Sequence, residues 1–283
     1  MLLFLSDEEK EKLQKIGYLC EHLLCFYSMA ADRTALFDGN FPVYFSSYND
    51  VDVILFGLED KSVDGSECVQ AILQFPIKEL NIVAPKPPKG LAGIGTLDSD
   101  WDYHINIEKF DIDLRGRAYK TIRSTLHRAD KMNYHIKISR EFTRNHIYII
   151  SRHMARHNLN VWDFEELLSL ESFFQEHSHG FMMEAYYKDK LVGFDVVDFF
   201  DDNGIMVVPL GVYQPSPLLA DFLMYENIKY AKSEGLKWLD VGLCCGNTGL
   251  QKFKEKWFAE PTYQLYIQTI KNSRYLPEYE AIP

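Results

Sequence analysis

Between residues 181 and 212 the sequence runs Phe181–Tyr187, a polar Lys188-Asp189-Lys190 turn, Leu191–Phe200, an Asp201-Asp202-Asn203-Gly204 turn and Ile205–Val212. Apolar, β-branched runs bounded by turn residues read as strands, and Asn-Gly between two such runs is the strongest short-range hairpin signal. The stretch is expected to fold as an antiparallel meander. Ser216-Pro217 then suits the N-cap and first position of a helix, and Gly235 suits its C′ position. A helix over 216–234 brings the chain back, so strand Trp238–Val241 is expected beside Ile205–Val212 and parallel to it. A meander that passes through a helical crossover into a parallel strand restricts the chain to a mixed α/β sheet.

The flanking pattern extends this reading. A helix over 116–132, a strand Tyr134–Ile138 and a helix over 142–157 precede the meander; a short helix Leu250–Trp257 and a strand Tyr263–Ile270 follow the parallel strand. This order is that of the acyl-CoA N-acyltransferase (GNAT-like) fold, in which two neighbouring parallel strands splay apart. A thioester or ester enters there, and its carbonyl meets free backbone N–H groups. Mid-strand Pro209 removes a ladder donor, so a bulge or a sheet edge is expected there; a bulge beside the splay would expose backbone N–H groups suited to an oxyanion. Toward the N-terminus, Ser6-Asp7-Glu8-Glu9 is a capping box opening a helix to about Ala30. Phe41–Phe45, Val51–Leu58, Val69–Phe75 and Leu80–Ala84 read as strands. Pro85, Pro87 and Pro88 then start a loop to Asp102. A two-domain division at 115/116 follows, with domains 1–115 and 116–283.

Composition excludes several classes. The chain of 283 residues is 47% hydrophobic and 14% aromatic, too apolar for a disordered protein. No apolar run reaches the ~18 residues that span a bilayer, so no integral membrane association is expected. Met1-Leu2-Leu3-Phe4-Leu5 is too short for a signal peptide. The five cysteines form neither metal spacing nor a disulfide framework, which suits the reducing cytoplasm. A net charge of −11 opposes non-specific binding to DNA or anionic lipid.

Three stretches carry a family resemblance. Asp102-Tyr103 with Leu114-Arg115-Gly116-Arg117-Ala118-Tyr119-Lys120-Thr121-Ile122-Arg123, the hairpin Lys188–Phe194, and Gly249-Leu250-Gln251-Lys252-Phe253-Lys254-Glu255-Lys256-Trp257 resemble motifs of one GNAT branch. That branch holds the C-terminal domain of the phosphatidylglycerol lysyltransferases and the FemAB-type aminoacyltransferases. The resemblance covers about Trp101 to Ile270. It implies transfer of an acyl or aminoacyl group to an amine, and an N-terminal part that is a second, degenerate copy of the fold.

Candidate site residues follow from charge and periodicity. On the 116–132 helix, Arg117, Lys120, Arg123, His127, Arg128 and Lys131 share one arc. This is a face either for the phosphates of coenzyme A or a tRNA acceptor end, or for solvent alone. Lys254 falls inside the arc of Leu250, Phe253 and Trp257, while Lys252 and Lys256 point away. An inward lysine must snorkel or meet a negative partner, and the resemblance makes that partner a substrate phosphate or oxyanion. Asp240 and Asp221 are candidates for a general base or for orienting an amine, each with a cap or surface acid as the alternative. Ser216 opens the helix that would cradle a pyrophosphate, but Gln214-Pro215-Ser216-Pro217 lacks two of the N–H donors such a cradle uses. His153 and His157 lack a third ligand, Gly90–Gly95 reads as loop, and adjacent Cys244-Cys245 as small loop residues, so no metal and no tightly bound cofactor are expected.

The leading expectation is an acyl- or aminoacyltransferase that uses a coenzyme A thioester or an aminoacyl-tRNA, with direct attack by a primary amine. The alternatives are a degenerate, non-enzymatic member that binds a ligand or partner, favoured by the uncharged strand 205–210, and a conventional acetyl-CoA N-acetyltransferase.

Overall fold

The computed structural model describes residues 1–6, 33–39, 41–45, 50–54, 65–157, 170–176, 180–200, 204–244 and 246–271. The expected N-terminal helix, the tip of the Asn203-Gly204 hairpin and Cys245 lie outside these residues. Among the described residues no helix is long and apolar enough to cross a membrane. The chain forms two compact units: one of residues 1–16, 24–101 and 263–283, the other of 17–23 and 102–262. The division thus falls at 101/102, not 115/116, and residues 263–283 belong to the first unit.

In the first unit, β1 (Leu2–Phe4), β2 (Arg33–Phe37), β3 (Phe41–Phe45) and β4 (Asp50–Ile54) pair antiparallel in succession. Helix α1 (Gly65–Ile72) then leads to β5 (Glu79–Ala84), which lies parallel to β4. The sequence reading made Val69–Phe75 a strand; the structure places Val69–Ile72 in α1. Cys68, Val69 and Ile72 are buried while Glu67 and Gln70 are exposed, a helical spacing that a short apolar run disguises. The sixth strand is supplied by β12 (Ala259–Lys271), whose Tyr266–Lys271 pair antiparallel with Glu79–Ala84. Strand 263–270, expected in the second sheet, is therefore the last strand of the first. The core is aliphatic and aromatic, built from residues such as Phe41, Val43, Val53, Ile72, Leu80 and Ile82.

The second unit repeats that order. Strands β8 (Phe181–Tyr187), β9 (Lys190–Phe200) and β10 (Ile205–Tyr213) form the expected meander, and β7 (His135–Ser139) extends it, antiparallel to β8. Helix α5 (Leu219–Ser233) crosses to β11 (Trp238–Leu243), which is parallel to β10. The sixth strand is the Asp102–Asn106 end of β6 (Thr96–Asn106), antiparallel to β11. The sequence reading left Thr96–Trp101 as loop. Those residues are largely exposed and show little apolar pattern; only pairing reveals them as strand.

The remaining helices are α2 (Lys120–Asp130), α3 (Arg144–His157), α4 (Leu170–Glu176) and α6 (Thr248–Lys256). Ile122, Leu126 and Ala129 bury one face of α2. Asn247 caps α6, its side-chain oxygen accepting from Gly249 and Leu250 N–H at 2.9 and 3.1 Å. The core of this unit gathers Ile105, Leu126, Met183, Val197, Met206, Leu223, Leu239 and Trp257.

Candidate functional site

Strands β10 and β11 are in register only over Ile205–Val207 and Trp238–Asp240. Two irregularities follow at once. In β10 the register against β9 shifts between Val207 and Leu210, the bulge expected at Pro209. In β11 the register against β6 shifts between Asp240 and Leu243, where Gly242 has φ 71°. Beyond this point the two parallel strands no longer pair, leaving backbone polar groups for a partner other than the sheet.

Lys254 lies at this strand end. It is 3% exposed, more buried than Leu250, the residue that marked its apolar arc. Its Nζ donates to the carbonyls of Gly242 (2.6 Å) and Leu243 (2.5 Å) and sits 5.7 Å from the Tyr103 ring centroid. The inward direction expected from periodicity is present, and the partners are the last carbonyls of β11.

Asp240 is buried, and its Oδ1 accepts from Gly242 N–H at 2.8 Å. Its Oδ2 lies 3.5 Å from His104 Nε2, and that nitrogen lies 3.5 Å from Asp102 Oδ2. Burial opposes a charged imidazole, but the two carboxylates outweigh it and push the His104 pKa up to about 9. Sequence reasoning named Asp240 as a site candidate and Asp102 only within the Asp102-Tyr103 motif. The other two stand on a different strand, and the Asp-x-His alternation of β6 was the one available signal.

Asp221 is engaged elsewhere. Its Oδ1 accepts from Trp257 Nε1 at 3.0 Å and is paired with Lys256. Lys256, expected to point away, therefore turns toward α5. Ser216 does not cap α5: the N-cap is Leu218 at φ 61°, without a side-chain cap. Pro217 has no N–H to give, and Ser216 Oγ lies 2.5 Å from the Tyr134 hydroxyl, which also donates to Pro217 O at 2.9 Å.

Among the basic residues, Arg117, Lys120 and Arg128 are exposed. Arg123 is committed to the chain itself, donating to the carbonyls of Leu114 and Gly116. Leu114 and Gly116 have φ of 56° and 83°, and Asp111 N–H donates to the Tyr119 hydroxyl at 3.0 Å. The Leu114…Gly116…Tyr119…Arg123 motif thus shapes the turn that leads into α2.

Two buried polar clusters were not legible in the sequence. Asp195 accepts from the Tyr213 hydroxyl and from Asn227 Nδ2 at 2.6 Å, and burial raises its pKa to about 6 against the pull of those donors. Gly211 makes the cluster possible: a Cβ there would clash with the Tyr213 hydroxyl and the Asp195 carboxylate. On β8, Glu184 faces His146 Nε2 at 3.1 Å and accepts from the Tyr186 hydroxyl at 2.7 Å. Burial alone would raise its pKa; these partners hold it below the ordinary value.

No protein-family model and no curated protein matches the chain. Solved structures do. The L-PGS of Bacillus licheniformis superposes with a TM-score of 0.64 at 14% identity, over 97% of this chain and 95% of that one. A tandem GNAT protein from the clavulanic acid biosynthesis pathway gives 0.59 at 10%, over 96% and 98%. FemX gives 0.59 at 11%, over 100% and 99%. The fold is that of the GNAT acyltransferases. Two of these structures, L-PGS and FemX, carry names of the branch that the sequence motifs resemble. At such identities the GNAT likeness speaks for architecture, and the reaction must be argued from the site.

Proposed function

We propose that this GNAT-fold chain transfers an acyl or aminoacyl group from an activated carrier to a primary amine. The observation that carries the reading is the parting of β10 from β11 beside two bulges, with a buried lysine at the strand end. In this reading the carrier's carbonyl enters the splay and its oxygen faces backbone N–H groups freed by the Val208–Pro209 bulge. The amine nitrogen attacks the carbonyl carbon, and negative charge develops on the oxygen. The carbon–oxygen or carbon–sulfur bond to the carrier then breaks, the carrier leaves with the electron pair, and the amine gives up a proton. Lys254 contributes positive charge near the developing anion.

The entry to α5 weighs on the choice of carrier. Pro215, Pro217, left-handed Leu218 and acidic Asp221 in the first turn make a poor cradle for a coenzyme A pyrophosphate. Exposed Arg117, Lys120 and Arg128 offer phosphates a separate basic face, which suits an aminoacyl-tRNA acceptor end. The N-terminal unit we read as a degenerate second copy, because its strand order, directions and helical crossover match those of the second. A non-catalytic reading draws on a different fact: Lys254, Asp240 and Asp221 are all engaged within the chain.

Thermal shift of the purified chain with coenzyme A, an acyl-CoA and an aminoacylated minihelix tests the proposal. One of these donors is expected to raise the melting midpoint. A charge-assisted contact contributes ~1.5–3 kcal/mol, so Lys254→Met should weaken that donor roughly ten- to a hundredfold, while Lys252→Met leaves it unchanged. The melt of each unliganded variant separates a lost site from a lost fold. Equal behaviour of the two variants removes Lys254 from the site. No stabilisation by any donor, with no acyl transfer to amines, leaves the non-catalytic reading.

A further inference from the structure

We propose that Asp102, His104 and Asp240 form a binding site for a divalent transition-metal cation, zinc in the first instance. Asp102 and His104 are two residues apart on β6, so the pleat puts both side chains on one face. His104 is the direct cross-strand partner of Asp240 on β11. The three side chains converge for that reason: one ligand atom from each lies within 4.8 Å of the others.

Two of the spacings match a coordination shell. Both Nε2-to-Oδ2 separations are 3.5 Å. Zinc bonds of ~2.0–2.2 Å arranged tetrahedrally give ligand–ligand edges of about 3.3–3.6 Å. All three residues are at most 3% exposed. Two carboxylates supply the charge that a dication cancels, the ion displaces the proton that they hold on His104, and a mixed imidazole–carboxylate set suits zinc and its neighbours. The surroundings fix one ligand in place: Gly242 N–H holds Asp240 Oδ1 at 2.8 Å, leaving Oδ2 turned to His104. Gly242 can do so because it occupies the bulge at φ 71°. The bound ion would cross-link β6 to β11. This site is independent of the transfer reading and stands if that reading falls.

The test uses the full chain without an affinity tag, stripped with a chelator and titrated with zinc chloride by calorimetry at neutral pH. One ion per chain is expected, with a higher melting midpoint and metal retained on gel filtration. Asp102→Asn and His104→Gln should each weaken binding by more than about a hundredfold. Cobalt(II) supplies a readout that does not depend on the variants folding: the native chain should develop the intense visible d–d absorption of a tetrahedral site, and zinc should bleach it. The proposal is overturned if the native chain binds neither zinc, cobalt nor manganese stoichiometrically, which leaves a buried imidazolium between two carboxylates. It is also overturned if binding persists in both folded variants.

Discussion

The two units share a topology and differ in what they bury. Among the described residues the polar side chains buried in the first unit are Thr34 and Gln268, both neutral. The second unit buries Asp102, His104, His146, Glu184, Asp195, Asp198, Asp221, Asp240 and Lys254. A buried ionisable group costs stability unless it is paired, and even a good pair does little better than hydrophobic residues of the same size. The described residues of the first unit form a β-β-β-β-α-β order without burying such groups. Their concentration in the other is what a site under functional constraint looks like. Among the described residues one unit is tuned for packing, and the other carries charge at a structural expense.

Breaking a buried hydrogen-bonded carboxylate should show the difference most strongly. Glu184→Ala removes the partner of both His146 and Tyr186, and is expected to lower the unfolding free energy by about 3–5 kcal/mol in urea titrations. A loss below about 1 kcal/mol would mean that the cluster is hydrated and that the contrast between the units is overstated. A smaller effect, with a sign set by linkage, is expected at Asp195. Its folded pKa of about 6 lies above the unfolded 3.8, so between these values the folded chain holds a proton that the unfolded chain releases. Stability from this group is therefore highest below about pH 4 and falls as pH rises through about 6, by on the order of 2–3 kcal/mol. The difference in unfolding free energy between the native chain and Asp195→Asn, followed over that window, should show this slope; a flat difference would place the carboxylate in contact with water. The smallest change belongs to the first unit. Ile82→Val, in an apolar surrounding, should cost about 0.5–1.5 kcal/mol with no dependence on pH.

Legibility in the sequence followed the range of the interaction. The meander strands, the Lys188-Asp189 turn and the Gly235 end of α5 were readable because hydrophobic alternation and turn chemistry act between neighbours. Lys254 was readable as inward because a helix repeats within four residues. Val69–Ile72 was misread because a few apolar residues fit either period, and Ser216 because a Ser-Pro cap takes no account of the Tyr134 hydroxyl.

What the sequence determined by itself was which segments are strands or helices over most of the second unit, and that their order is that of an acyltransferase fold. Local pattern reports how much of a residue is buried, and says nothing of the partner that buries it. Only the tertiary structure could decide that Tyr266–Lys271 of β12 pair with β5 and Asp102–Asn106 of β6 with β11. The second pairing decides the chemistry. It brings Asp102 and His104 beside Asp240, more than a hundred residues away in sequence, because the backbone hydrogen bonds that choose a strand's neighbour are the same for every side chain.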